Sequence, residues 1–183
     1  MPVIDHETGI SKLGDLIRDI PDFPKPGIIF KDITPLLANP GGLSLAVEYL
    51  TQPFRQSHVD LVVGAESRGF IFGTAVAQSL SAGFVPIRKP GKLPFDTYSE
   101  SYELEYGTDQ VEVHCDAIKP GDRVLLIDDV LATGGTMAAC CRLAEKLGGE
   151  IIGAAVLIEL TFLDGRSKLN GRPLHSVLTF DSE

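Results

Sequence analysis

Short apolar runs alternate along this chain with segments in which apolar residues recur at three- and four-residue spacing. The runs are rich in Val, Leu and Ile with little polar alternation, which predicts strands covered on both faces, since a strand with one wet face would alternate. The strands expected are Leu61 to Val63, Phe84 to Ile87, Val124 to Ile127 and Ile151 to Glu159. Between them, Phe70 to Leu80 and Thr136 to Leu147 read as helices. In the second, Met137, Cys140, Cys141, Ala144 and Leu147 share one face, and Gly148 with Gly149 stops it. Strands and helices alternating in this way predict an α/β fold, an open, mainly parallel twisted sheet with helices on both faces.

Two segments depart from the pattern. Residues 21–40, PDFPKPGIIFKDITPLLANP, carry five prolines, which exclude one long helix and predict a ribbon or flap over the sheet's edge. Residues 88–110, RKPGKLPFDTYSESYELEYGTDQ, are a long polar excursion between apolar strands. Their mixture of charges, aromatics and glycines predicts a functional mobile loop, with Gly91, Pro94 and Gly107 as its soft and stiff points.

At 183 residues the chain fits one domain, 1–183, carrying both segments as appendages. Lys plus Arg is 16 against 25 for Asp plus Glu, a net charge of -9, which argues against a nucleic-acid partner. No apolar run reaches the roughly 18 residues of a membrane span, and MPVIDHETGISKLGDL lacks a basic-then-apolar leader. A soluble, cytoplasmic protein is expected. Cys115, Cys140 and Cys141 suit a reducing compartment as structural thiols, and His6, His58, His114 and His175 lack ligand spacing, so no protein-held metal site is predicted.

The chemistry concentrates in VLLIDDVLATGGT, Val124 to Thr136. The Thr133-Gly134-Gly135-Thr136 turn follows a strand and opens a helix, so its free amides and the positive helix end face whatever lies beyond the strand. Taken alone, such a turn is as readily a tight strand-to-helix connection. Gly64-Ala-Glu-Ser-Arg-Gly69 lacks the Lys and hydroxyl residue of a nucleotide-hydrolase P-loop, and no GxGxxG follows the first strand. Asp128 and Asp129 would repel a bare phosphate. They make sense if the ligand is a sugar phosphate, with carboxylates accepting from vicinal hydroxyls while amides hold the phosphate.

A hydrophobic run, two acidic residues and then Ala-Thr-Gly-Gly-Thr resembles the signature of type I phosphoribosyltransferases, which move ribose 5-phosphate from phosphoribosyl diphosphate (PRPP) to a nitrogen base. The resemblance implies that Asp128 and Asp129 hold the ribose 2- and 3-hydroxyls and that Ala132, Thr133, Gly134, Gly135 and Thr136 cradle the 5-phosphate. Glu66-Ser67-Arg68-Gly69, again between strand and helix, would take the diphosphate through its amides and the Arg68 guanidinium. In the family this loop often holds a cis peptide, which would fall at Glu66-Ser67. Magnesium, carried mainly on PRPP and diphosphate, would neutralise the leaving group with help from Arg88, Lys89 and Lys92. Some of those basic groups would reach in from the second copy of a homodimer.

Relatives acting on 6-oxopurines typically carry aspartate where Ala132 stands. YELEYG, Tyr102 to Gly107, is instead similar to the catalytic loop of adenine phosphoribosyltransferases, making Glu105 the residue that exchanges a proton with the purine N7. That resemblance continues through FPKPGIIFKDITPLL, ESRGFIFG, IRKPGKLP and LIELTFLDGR. It implies that Phe30 stacks on adenine opposite Leu160 and that main chain near Ile29 and Lys31 reads the exocyclic amine. Phe30 as ordinary core is the plain alternative. Some members have arginine at position 31 and aspartate at 66, which leaves the role of the Glu66 side chain open. A guanine, xanthine or orotate transferase is disfavoured by Ala132 and the loop, and a PRPP-sensing regulator by the lack of room for a DNA-binding module.

Overall fold

The computed structural model describes residues 6–103 and 107–182. Helix α1 (His6–Gly14) leads into β1 (Arg18–Pro21), which pairs antiparallel with β2 (Ile29–Asp32) as a separate ribbon. Next come α2 (Thr34–Ala38), α3 (Pro40–Thr51), β3 (Leu61–Ala65), α4 (Gly69–Leu80) and β4 (Gly83–Ile87). An antiparallel hairpin follows, β5 (Thr97–Glu103) with β6 (Thr108–His114). The chain then runs through β7 (Arg123–Leu131), α5 (Gly135–Lys146), β8 (Glu150–Leu160) and β9 (Leu174–Phe180). The main sheet has the order β4-β3-β7-β8-β9, with every neighbouring pair parallel.

Burial explains why its strands read as unbroken apolar runs. Val62, Leu125, Ile127, Ala155 and Leu157 pack on one side with Ala46 and Leu50 of α3 and Phe72 and Val76 of α4. Their strand neighbours Val63, Val124, Leu126, Ala154 and Val156 pack on the other with Ala139, Cys140 and Leu143 of α5 and Val111 and Val113 of the hairpin. Each Val, Leu, Ile or Phe among them contributes about 1.5–3 kcal/mol by leaving water, so both faces are needed.

The four expected strands and two expected helices are all present; each strand gains one to five residues, α4 starts one residue earlier, and α5 keeps its length but sits one residue earlier than expected. Outside the two segments singled out above, α1, α3 and β9 were not anticipated. α1 is short and polar; α3 begins PGG, which hides a helix whose Asn39 side chain caps it by accepting from the Gly42 amide at 2.9 Å. β9, LHSVLTF, mixes His, Ser and Thr into an edge strand. The proline-rich segment forms a ribbon only in its first part, since α2 and the start of α3 take up the remainder. The polar excursion is largely the β5–β6 hairpin, whose Tyr102, Val111 and Val113 sink into the core.

Candidate active site

The strands β3 and β7 are neighbours, and each is followed directly by a turn and a helix. Two helix N-termini therefore converge beyond adjacent strand ends, where exposed amides favour anions. Glu66, Ser67 and Arg68 after β3, the β7 residues Asp128 to Leu131, and Ala132 to Met137 line one cleft of about 210 Å³. The Glu66–Ser67 peptide is cis. Gly69 lets α4 start against the carboxylates, because a Cβ there would lie 2.7 Å from Asp128 Oδ1.

Asp128 and Asp129 sit on the floor of this cleft in a tight arrangement. The Asp129 amide donates to Asp128 Oδ1 at 2.9 Å, and Arg68 Nε lies 2.9 Å from Asp129 Oδ2. Burial, reinforced by the neighbouring Asp129 charge, pushes Asp128 well above the ordinary carboxylate range. Burial also raises Asp129, though Arg68 opposes it. Two crowded carboxylates gain from hydroxyl donors, which stabilise the ionised form.

The anion turn owes its shape to a distant segment. Gly134 has φ +75°, and a Cβ on it would lie 2.2 Å from the carbonyl oxygen of Gly165. Conversely, a Cβ on Gly165 would lie 2.1 Å from the Ala132 carbonyl oxygen. Backbone rests on backbone, which two glycines alone permit.

Beside the cleft is a second cavity of about 450 Å³, lined by Lys25, Ile28, Ile29, Phe30, Lys31, Arg68, Val130, Ala132, Thr133, Leu160 and Leu163. Arg68, Val130, Ala132 and Thr133 belong to both cavities, so a ligand spanning them meets a continuous wall. Phe30 is half-buried, meets Phe23 edge-on at 5.1 Å and carries the Arg68 guanidinium 5.0 Å from its ring centre. The Lys31 ammonium turns away to Asp19 at 2.8 Å and to the Phe180 ring at 4.5 Å.

Other residues singled out from the sequence lie elsewhere. Arg88 and Lys92 line neither cavity: Arg88 Nε binds Glu66 Oε2 at 3.1 Å, and its Nη1 donates to the Lys92 carbonyl. Lys89 is engaged with Asp109 and with the Tyr102 hydroxyl at 3.0 Å. Burial disfavours its charge, but those two partners outweigh burial and raise its pKa. Glu105 lies outside the described residues. Glu66, whose part the sequence left open, accepts from the Lys89 amide at 2.8 Å and from Arg88, tying the end of β4 to the β3 turn. Leu163 and Gly165 were missed as wall and buttress; LDGR offers a turn signal but nothing local says what the turn touches.

A cleft of helix-end amides and paired carboxylates that shares a wall with an apolar cavity is an arrangement suited to phosphoribosyl transfer. The Phosphoribosyl transferase domain model matches residues 32–172, and the chain belongs to that family. Within it, the chain is 59% identical over 169 residues to the adenine phosphoribosyltransferase of Flavobacterium johnsoniae, covering 92% of this chain and 99% of that one. Its structure is similar to the adenine phosphoribosyltransferase of Rhodothermus marinus, with TM-score 0.91, 57% identity, and coverage of 95% and 99% of the two chains. The Saccharomyces cerevisiae adenine phosphoribosyltransferase, solved with adenine and an imino-altritol bisphosphate, gives TM-score 0.89 at 39% identity, covering 94% and 99%.

Proposed function

We propose that the protein transfers the 5-phosphoribosyl group of PRPP to N9 of adenine, giving AMP and diphosphate, an adenine phosphoribosyltransferase activity in purine salvage. The observation that carries this reading is the wall shared by the two cavities, with alanine at position 132. A ribose held over Asp128 and Asp129 with its phosphate in the 133–136 turn directs C1 toward Phe30 and Leu160. Ala132 offers no ionisable group to a 6-oxopurine, while main chain at Ile29 and Lys31, which line the second cavity, would read an amine edge.

The reaction breaks the bond from C1 to the diphosphate oxygen as N9 attacks C1, through a transition state resembling a ribosyl cation. Arg68 exchanges Asp129 and the face of Phe30 for the departing diphosphate, so base and leaving group compete for one guanidinium's position. The purine N7 proton passes to the Glu105 carboxylate. Magnesium carried mainly by PRPP oxygens would neutralise charge on the diphosphate, and the carboxylates lining the cleft, Glu66, Asp128 and Asp129, are hard oxygen donors that would suit it. Exposed Ile71, Phe95 and Tyr98 support a homodimer, in which some of the basic groups Arg88, Lys89 and Lys92 would serve the second copy's site. Free thiols at Cys115, Cys140 and Cys141, with no membrane-crossing helix among the described residues, support a cytoplasmic location.

Incubation with PRPP, magnesium and, separately, adenine, hypoxanthine, guanine and orotate tests the assignment. AMP from adenine alone is expected; a faster product from any other base would overturn it. Glu105→Ala should lower turnover by about 10²-fold, read by steady-state kinetics, and near-normal turnover would remove Glu105 from the mechanism.

A further inference from the structure

We propose that Arg166 is a positioning residue for the turn that takes the 5-phosphate, acting through Gly165 without touching substrate. The proposal rests on the reading that residues 133–136 hold that phosphate. Gly165 meets the turn backbone to backbone, with a Cβ on it reaching within 2.1 Å of the Ala132 carbonyl oxygen and 2.8 Å of the Gly134 amide. The depth and tilt of those amides therefore depend on where Gly165 is held.

The next residue supplies the hold. Arg166 grips Glu159 of β8 as a fork, Nε to Oε1 at 2.9 Å and Nη2 to Oε2 at 2.6 Å, while Nη1 donates to the Leu174 carbonyl at 3.3 Å. Glu159 is 4% exposed and also accepts from the Ser176 hydroxyl of β9. An exposed ion pair contributes little, but a forked bond onto a buried carboxylate fixes both position and angle. The anchor is thus the sheet itself, two strands wide. Arg166 lines neither cavity, so it has no direct route to a ligand there.

The base wall is secured separately. Thr161 Oγ1 bonds the Phe180 carbonyl at 3.1 Å and Asp181 Oδ1 at 2.7 Å, holding the segment between Leu160 and Leu163. Loss of Arg166 should therefore loosen the phosphate side and spare the adenine side. Arg172 provides a control on the same stretch, since it ties Glu145 and the Leu169 carbonyl farther from Gly165.

Calorimetric binding of ribose 5-phosphate, with KM for PRPP and adenine, tests this in the full-length protein. Arg166→Ala should weaken ribose 5-phosphate and raise KM for PRPP by about tenfold or more, leaving KM for adenine within about twofold. Arg166→Lys, which keeps the charge but loses the fork, should recover part of the loss. Arg172→Ala should lower Tm without changing either ligand. Glu159→Gln replaces Arg166→Ala if the latter does not fold, with the same expectation. Unchanged ribose 5-phosphate affinity in Arg166→Ala, or an equal loss in Arg172→Ala or for adenine, overturns the proposal. Wild-type protein that fails to bind ribose 5-phosphate would instead overturn the reading of the turn.

Discussion

The two antiparallel ribbons outside the main sheet are built on opposite terms. The β1–β2 flap keeps every residue of β2 only half-buried and is held by ion pairs, Arg18 with Asp32 at 2.7 Å and Lys31 with Asp19 at 2.8 Å. The β5–β6 hairpin drives Tyr102, Val111 and Val113 into the core, at 7%, 1% and 0% exposure, and adds the Lys89–Asp109 and Arg142–Glu100 pairs. Each flap pair joins an exposed partner, Arg18 or Asp19, to a covered one, Asp32 or Lys31, so one side of each can adjust, whereas close-packed apolar side chains must leave together or stay. A flap that carries Phe30, the proposed stacking face, would have room to adapt to a base. The hairpin is anchored along its length up to its last described pair, Glu103 with Thr108.

Val113→Ala breaks this contrast most severely. Removing two methyl groups from a site with 0% exposure should cost about 2 kcal/mol, roughly 4–8 °C in Tm by calorimetry, and a flap-like loss near zero would erase the distinction. Phe30→Ala should do the reverse, raising KM for adenine by about tenfold through lost stacking while Tm moves by only a degree or two. A large Tm loss with unchanged KM would return Phe30 to the core.

The smallest effect is acid sensitivity in the flap. The Thr34 amide and then the Arg18 guanidinium hold Asp32 down at about 2, against 3.8 for a free side chain. A carboxylate whose folded pKa is depressed stabilises the fold fully above the unfolded value and loses that contribution as pH falls through the folded one. The difference in Tm between wild type and Asp32→Asn should therefore be constant above pH of about 5 and shrink toward pH 2. A carboxyl NMR titration of Asp32 with its midpoint near 3.8 would contradict the tie to Thr34 and Arg18.

How much was legible follows from how far each contact reaches along the chain. The run from Val124 to Thr136 encodes strand, carboxylate pair, turn and helix start within 13 consecutive residues, so its periodicity and its chemistry are read together. The helices α4 and α5 declare themselves in the same local way. The edge strand β9 does not, because one partner strand and a half-covered face leave its polar residues in place. Nor does Lys89, which the sequence groups with Arg88 and Lys92 as a basic stretch but which folding engages with Asp109 of the hairpin strand β6.

By itself the chain's order of residues determined the sheet's parallel strands, the two strand-to-helix turns with their acidic pair, and the kind of ligand those turns suit. Local backbone preference and side-chain periodicity act within a few positions of one another. Only the tertiary structure decided that Glu66 fastens Arg88 and Lys89, that Arg68 stands between two cavities, and that Gly165 supports Gly134 from 31 residues away. Each of those contacts exists because packing closed a long stretch of chain, and no spacing in the sequence records which ends will meet.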